Sequence, residues 1–190
     1  MVNHISHLNL ISGQRVFLPL CGKTLDVAWL LSKGFRVVGA ELSEIAIEQL
    51  FKDLNLEPKI IHCGKLLRYQ AENIDMFVGD IFELDSELLG VVDAVYDRAA
   101  LVALPNDIQN DMRSKYANHL VEITGTAKQL LISFEYDQDL MEGPPFSILK
   151  DEVSRLYSAT YKLALLESAE LQGGFRGKFD VTESIWLLSN

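Results

Sequence analysis

Five short segments place glycine, acidic residues and arginine just where strand-like runs end. Leu20-Cys21-Gly22-Lys23-Thr24 follows the first run, Glu41 the second, Asp80-Ile81 a third, Asp97-Arg98 a fourth and Asp137 a fifth. In open α/β sheets ligands bind beyond the carboxyl ends of the strands, so these positions are the ones to read for chemistry. Gly22 lets a ligand approach the backbone, and a helix starting near Thr24 offers unpaired N–H groups. Glu41 lies nineteen residues after Gly22 and suits the two hydroxyls of a ribose. Asp80, or the Ile81 backbone, could meet an adenine. Each feature also has a plainer reading: an ordinary strand-to-helix turn at Gly22, a solvated glutamate beside the cap residue Ser43, a surface aspartate at Asp80. For Asp97-Arg98 the plainer reading is an internal salt bridge, and a functional role for Arg98 is favoured over it.

The kind of ligand follows from what is missing. Gly22-Lys23-Thr24 matches the end of a phosphate-binding loop, but G-x-x-x-x-G-K-[ST] needs a glycine where Phe17 stands. G-x-G-x-x-G fails as well, because only one glycine is present there. A ribose-binding acid without a phosphate grip suits a nucleoside cofactor lacking phosphates, and S-adenosyl-L-methionine is such a cofactor. His4, His7, His62 and His119 have no ligand spacing and no Cys or Ser partner, so no metal is expected. Cys21 reads as a small buried residue.

The elements around these positions alternate between apolar runs and amphipathic stretches, a β-α-β-α pattern. Strands are predicted at Gln14–Leu20, Phe35–Ala40, Lys59–Cys63, Ile74–Gly79, Val91–Tyr96 and Leu130–Tyr136. Helices are predicted at Thr24–Lys33, ended by Gly34, and from the Ser43 cap to about Leu54 with Ile47, Leu50, Phe51 and Leu54 on one face. A surface helix is predicted over Asn106–Ile123, with Ile108, Met112, Tyr116 and Leu120 facing inward, and a short one over Lys150–Tyr157. Two last strands, Tyr161–Glu170 and Val181–Leu188, flank a glycine-rich loop too short for a helical crossover, so they form an antiparallel hairpin. The fold class is therefore α/β: a doubly wound Rossmann-like sheet, mostly parallel, with a C-terminal antiparallel hairpin strand.

A chain of 190 residues with 48% hydrophobic content has the size of one domain, and folding at this length buries roughly 70% of the unfolded surface. The whole chain, 1–190, is read as a single domain. Two well-separated cysteines, Cys21 and Cys63, fit a reducing, cytoplasmic setting. Met1–Gly13 holds no Lys or Arg and no long apolar run, which argues against a signal peptide or membrane span. The formal charge of -10, from 27 acidic and 17 basic side chains, opposes a nucleic-acid partner. A small-molecule acceptor and a monomeric state are expected.

The run RVFLPLCGKTLDVAWLLSKGFRVVGAELSEIAIEQLF, then GDIFEL, YDRAALVALP, EYDQDLMEGPPFS and FRGKFDVTESIWLL, resembles the bacterial branch of the thiopurine S-methyltransferase family in order and spacing. The resemblance runs from about Arg15 to the end and is carried by long, unusual strings: PLCGK with the following Asp26, YDRAAL and GPPFS. It implies a class I methyltransferase in which Leu20 and Glu41 contact S-adenosylmethionine. It also implies that Arg98 lies at the cofactor and acceptor, that Arg176 borders the acceptor, and that Gly143–Ser147 belongs to a loop near it. The implied reaction is methylation of the sulfur of aromatic or heterocyclic thiols, and bacterial members are associated with selenium or tellurium species too. The implied site set is Arg98 and Arg176 for catalysis, with Leu20, Gly22, Glu41, Asp80, Ile81 and Arg98 for the cofactor.

Methyl transfer from a sulfonium is an in-line displacement that needs alignment and a dry site more than a strong base. Arg98 and Arg176 would favour the thiolate form of the acceptor. One departure stands out. The family pattern begins well before the first strand with an aromatic-containing segment, whereas only Met1–Gln14 precede it here. The alternative reading is a truncated relative that binds S-adenosylmethionine or S-adenosylhomocysteine without turnover.

Overall fold

The computed structural model describes residues 2–98, 100–106, 109, 111–174, 177 and 179–190. The chain divides into two compact units, Asn9–Tyr96 and Met1–Leu8 with Asp97–Asn190.

In the unit Asn9–Tyr96, strands β1 (Arg15–Pro19) and β2 (Arg36–Glu41) alternate with helices α1 (Leu25–Ser32) and α2 (Glu44–Asp53). There follow β3 (Lys59–Cys63), β4 (Leu66–Ala71), β5 (Ile74–Val78), the short α3 (Ser86–Leu89) and β6 (Ala94–Asp97), whose last residue opens the other unit. The strand order is β3-β4-β5-β2-β1-β6. β1 runs parallel to β2 and β6, and β2 runs parallel to β5. Strands covered on both faces must be apolar throughout, and Val16, Phe17, Leu18, Val37 and Val38 are all buried. Helix starts follow capping chemistry. The Thr24 and Ser43 hydroxyls accept from the Asp26 and Ala46 amides, and α2 buries Ile47, Leu50 and Phe51, the predicted face.

β4 was not among the predicted strands. It forms a hairpin with β3 through the two-residue turn Gly64-Lys65, with Gly64 at φ +62°, and pairs antiparallel with β5. Its Arg68 reaches across to Asp75, which sits in a strand otherwise apolar. Asp75 accepts from Arg68 at 2.7 Å, from Arg15 at 3.2 Å and from Gln70 at 3.1 Å, so the one buried charge of β5 is well supplied with donors.

The other unit contains α4 (Met112–Thr124), β7 (Lys128–Glu135), α5 (Lys150–Tyr157), β8 (Lys162–Glu170) and β9 (Thr182–Ser189). Its strand order is β7-β9-β8, antiparallel throughout, which is the expected C-terminal hairpin. α4 starts six residues later than predicted. Asp111, in a left-handed conformation at φ 36°, accepts from the Ser114 amide and sets the start at Met112. Tyr116 and Leu120 are buried as predicted, and Ile108 lies outside the described residues. Both units together give the α/β, doubly wound architecture anticipated from the sequence.

Candidate active site

In the unit Asn9–Tyr96, the carboxyl ends of β1, β2 and β5 are tied together by backbone and by one carboxylate. After β1 the chain turns sharply: Leu20 has φ +43° and Gly22 φ +54°. A side chain at Gly22 would meet nothing within 4 Å, so the turn faces open space. Glu41 Oε2 accepts from the Gly22 amide at 2.8 Å, and Oε1 accepts from the Ser43 amide at 2.9 Å. The Glu41 carbonyl in turn accepts from the Gly79 amide at 2.9 Å, which links β2 to the end of β5. Two backbone donors thus hold the carboxylate in one orientation, and a carboxylate has about four lone-pair sites, so further acceptance remains open on both oxygens.

Asp80 is exposed and caps the short turn Ile81–Glu83 by accepting from the Phe82 amide at 3.0 Å; Ile81 is buried beneath it. Leu25, Leu42, Ile45 and Phe82, all close to these strand ends in sequence, are exposed apolar side chains. Cys21 is half-buried, and burial together with the nearby Glu41 charge pushes its thiol up to about 12, so it stays protonated at neutral pH. The sequence did not single out Tyr96. Its hydroxyl donates to Asp26 Oδ2 at 3.4 Å, the same oxygen that accepts from Thr24 at 3.2 Å, which ties β6 to the start of α1. A tyrosine directly before the Asp97-Arg98 pair was the available signal.

In the other unit, Arg98 is exposed at the end of β6, immediately after the fully buried Asp97. The short turn Leu101–Ala103 follows. Its Val102 carbonyl accepts from the Phe146 amide at 2.6 Å, which brings the Gly143–Ser147 loop to the segment after Arg98. The loop is also pinned to β7: Ile148 donates to the Phe134 carbonyl at 2.7 Å, and the Ser147 hydroxyl accepts from the Tyr136 amide at 3.1 Å. Beside it lies a cleft of about 550 Å³ whose lining includes Arg113, Tyr136, Ser147, Leu149 and Glu152. Arg176 lies outside the described residues. The structure therefore joins Gly22 to Glu41 directly and connects Asp80-Ile81 through Gly79, while Arg98 belongs to the unit containing the Gly143–Ser147 loop.

The family model for thiopurine S-methyltransferase (TPMT) matches residues 1–188. A thiopurine S-methyltransferase of Xanthobacter autotrophicus is 52% identical over 188 residues, covering 99% of this chain and 86% of the relative. The chain belongs to the thiopurine S-methyltransferase family. A second member, from Teredinibacter turnerae, is 50% identical over 94% of this chain and 81% of its own length. The family match starts at residue 1 and so includes Met1–Gln14, which the sequence strings alone left out. Among solved structures, a SAM-dependent methyltransferase of Methanosarcina mazei has a TM-score of 0.70 at 16% identity, covering 97% of this chain and 96% of that one. The 1,6-didemethyltoxoflavin-N1-methyltransferase of Burkholderia thailandensis, solved with S-adenosylhomocysteine, has a TM-score of 0.63 at 16% identity over all of this chain and 76% of that one. These likenesses establish the fold. As a thiopurine S-methyltransferase family member the chain is an S-adenosyl-L-methionine-dependent methyltransferase acting on small molecules, and the reading as a non-catalytic binding module is not favoured. Among the described residues no helix is long and apolar enough to cross a membrane.

Proposed function

We propose that the carboxyl ends of β1, β2 and β5 hold S-adenosylmethionine through Leu20, Gly22, Glu41, Asp80 and Ile81, and that Arg98 and Arg176 act on the acceptor thiol. The observation that carries the cofactor assignment is the Glu41 carboxylate, fixed by the Gly22 and Ser43 amides with acceptor capacity to spare. That geometry suits a ribose diol, and the open space over Gly22 leaves room for it. Leu42 and Phe82, exposed beside Glu41 and Asp80, offer an apolar surface for an adenine. Bound there, S-adenosylmethionine supplies a methyl carbon on a sulfonium leaving group.

The chain's own residues then have three tasks: to hold the acceptor in line, to keep water away and to favour the sulfur anion. An exposed guanidinium at Arg98 lowers the cost of the thiolate, and so does Arg176 by its place in the family pattern. The two units work as one methyltransferase domain, a reading supported by β6 beginning in one and ending in the other. The acceptor is an aromatic or heterocyclic thiol, selenium or tellurium species being further candidates, and the enzyme is a cytoplasmic monomer that takes no nucleic-acid partner.

Calorimetric titration with S-adenosylhomocysteine, followed by transfer assays on aromatic thiols, tests this. Binding that Glu41→Ala abolishes, with acceptor turnover that Arg176→Ala lowers most at low pH, is the expected result. Binding unaffected by Glu41→Ala would move the cofactor elsewhere, and a pH-independent loss in Arg176→Ala would remove thiolate stabilisation from that residue's role.

A further inference from the structure

Asp97 is 0% exposed at the carboxyl end of β6. Its Oδ1 accepts from the amides of Ala100 at 3.1 Å and Leu101 at 3.2 Å, and its Oδ2 accepts from the Tyr116 hydroxyl on α4 at 2.7 Å. Tyr157 on α5 is fully buried as well, and burial first, with the Asp97 charge adding to it, holds the Tyr116 and Tyr157 phenols well above their ordinary range. Burial lifts the carboxyl itself to about 6, against the pull of the Tyr116, Leu101 and Ala100 hydrogen bonds. A neutral asparagine could accept from the same two amides without the cost of burying a charge. What the carboxylate adds is strength, because charge-assisted hydrogen bonds are shorter and roughly twice as strong as neutral ones.

The turn so anchored has two attachments. Arg98 leaves it on the exposed side, and Val102 just beyond it accepts from Phe146 of the Gly143–Ser147 loop. We propose that Asp97 is a positioning residue for methyl transfer: its buried carboxylate locks the turn after β6, and through that turn sets Arg98 and the Gly143–Ser147 loop for the acceptor thiol. This rests on reading Arg98 as an acceptor-side residue. Asp97 touches neither cofactor nor acceptor in this role, and a small loosening of the turn would misalign an in-line reaction.

The test is steady-state transfer to a pentafluorinated benzenethiol, chosen to be ionised between about pH 5 and 9 so that the acceptor does not titrate. S-adenosylhomocysteine affinity is measured alongside at each pH. Wild-type kcat/KM for the acceptor is expected to fall as pH drops through about 6. Asp97→Asn is expected to be about tenfold lower near pH 8 and flat across this range, with cofactor affinity unchanged. Tyr116→Phe, which removes a donor that lowers the carboxyl's pKa, is expected to move the acid limb to higher pH. Asp97→Asn with wild-type kcat/KM and a wild-type pH profile would overturn the proposal, as would a loss matched by an equal loss of cofactor affinity. Should Asp97→Asn fail to fold, an unmoved acid limb in Tyr116→Phe overturns it instead. Arg98→Ala, assayed also with unsubstituted benzenethiol below the pH at which that thiol ionises, separates the layers: if it leaves kcat/KM unchanged with both acceptors, the reading of Arg98 falls and the proposal with it. If Arg98→Ala lowers kcat/KM while Asp97→Asn does not, the reading stands and the proposal falls.

Discussion

Glu41 is expected to be decisive because its orientation is fixed before any ligand arrives. With both oxygens held by the Gly22 and Ser43 amides, little ordering remains to oppose binding. Glu41→Gln replaces one acceptor oxygen by an NH2 group that faces a backbone donor, and it removes the charge. Hydrogen bonds to charged groups contribute about 1.5–3 kcal/mol each, so S-adenosylhomocysteine affinity should drop by about 10- to 100-fold by calorimetry. Unfolding temperature, recorded on the same sample, would show whether the turn itself had been lost. Cys21 gives a second expectation at this scale. With its thiol pushed up to about 12, alkylation near pH 8 should be much slower at Cys21 than for an ordinary free cysteine, as read by mass spectrometry of the modified peptide.

Strand β2 depends on Gly39 in a way its sequence does not advertise. A Cβ there would stand 2.4 Å from the Met76 sulfur and 2.9 Å from the Cys21 sulfur, so Gly39→Val should displace the buried Met76 side chain and crowd Cys21 in the turn after β1. Overpacking of this kind costs about 1–3 kcal/mol, and denaturant unfolding should show it along with weakened cofactor binding. Gly39 lies in a run, FRVVGA, whose period reveals a buried strand but says nothing about which neighbours press against it. The same limit separates what was legible from what was not. The cap at Ser43, the α2 face and helix α5 follow from local chemistry and were readable, while Thr24, read as the first helical residue, is the cap of a helix that starts at Leu25. β4 was not, because Leu66, Arg68 and Gln70 lack a clean alternation and Arg68 is retained for a buried partner, Asp75, that only tertiary structure supplies. The start of α4 was missed because its polar lead-in resembles a helix surface, and the left-handed cap at Asp111 has no distinct sequence signal. At the site, strand ends identified Glu41 and Arg98 as positions, whereas the Tyr96–Asp26 and Asp97–Tyr116 pairs join residues 70 and 19 apart and needed the fold.

Stability of the whole chain against pH should carry the mark of Asp97. Its carboxyl rises from 3.8 to about 6 on folding, so between those values the folded state holds a proton that the unfolded state has lost. Stability therefore falls as pH rises through this window, and above about 6 the full cost applies: roughly 3 kcal/mol at 1.36 kcal/mol per unit. Asp111 and Glu152 work with the opposite sign. Hydrogen bonds from Ser114 and Arg155 hold Asp111 low, and Arg155 holds Glu152 low, so their contribution is present above the ordinary carboxylate range and is lost as pH falls through their lowered values. Asp97→Asn removes only the first effect. Its unfolding temperature should match wild type near pH 4 and exceed it by about 6–12 °C near pH 8, since 1 kcal/mol moves the midpoint of a chain this size by about 2–4 °C. A gain that does not grow between these two conditions would mean that the carboxylate is not destabilising when ionised. A gain that does grow, in a variant that transfers methyl groups more slowly, would show that this chain keeps a buried charge for positioning at the expense of stability.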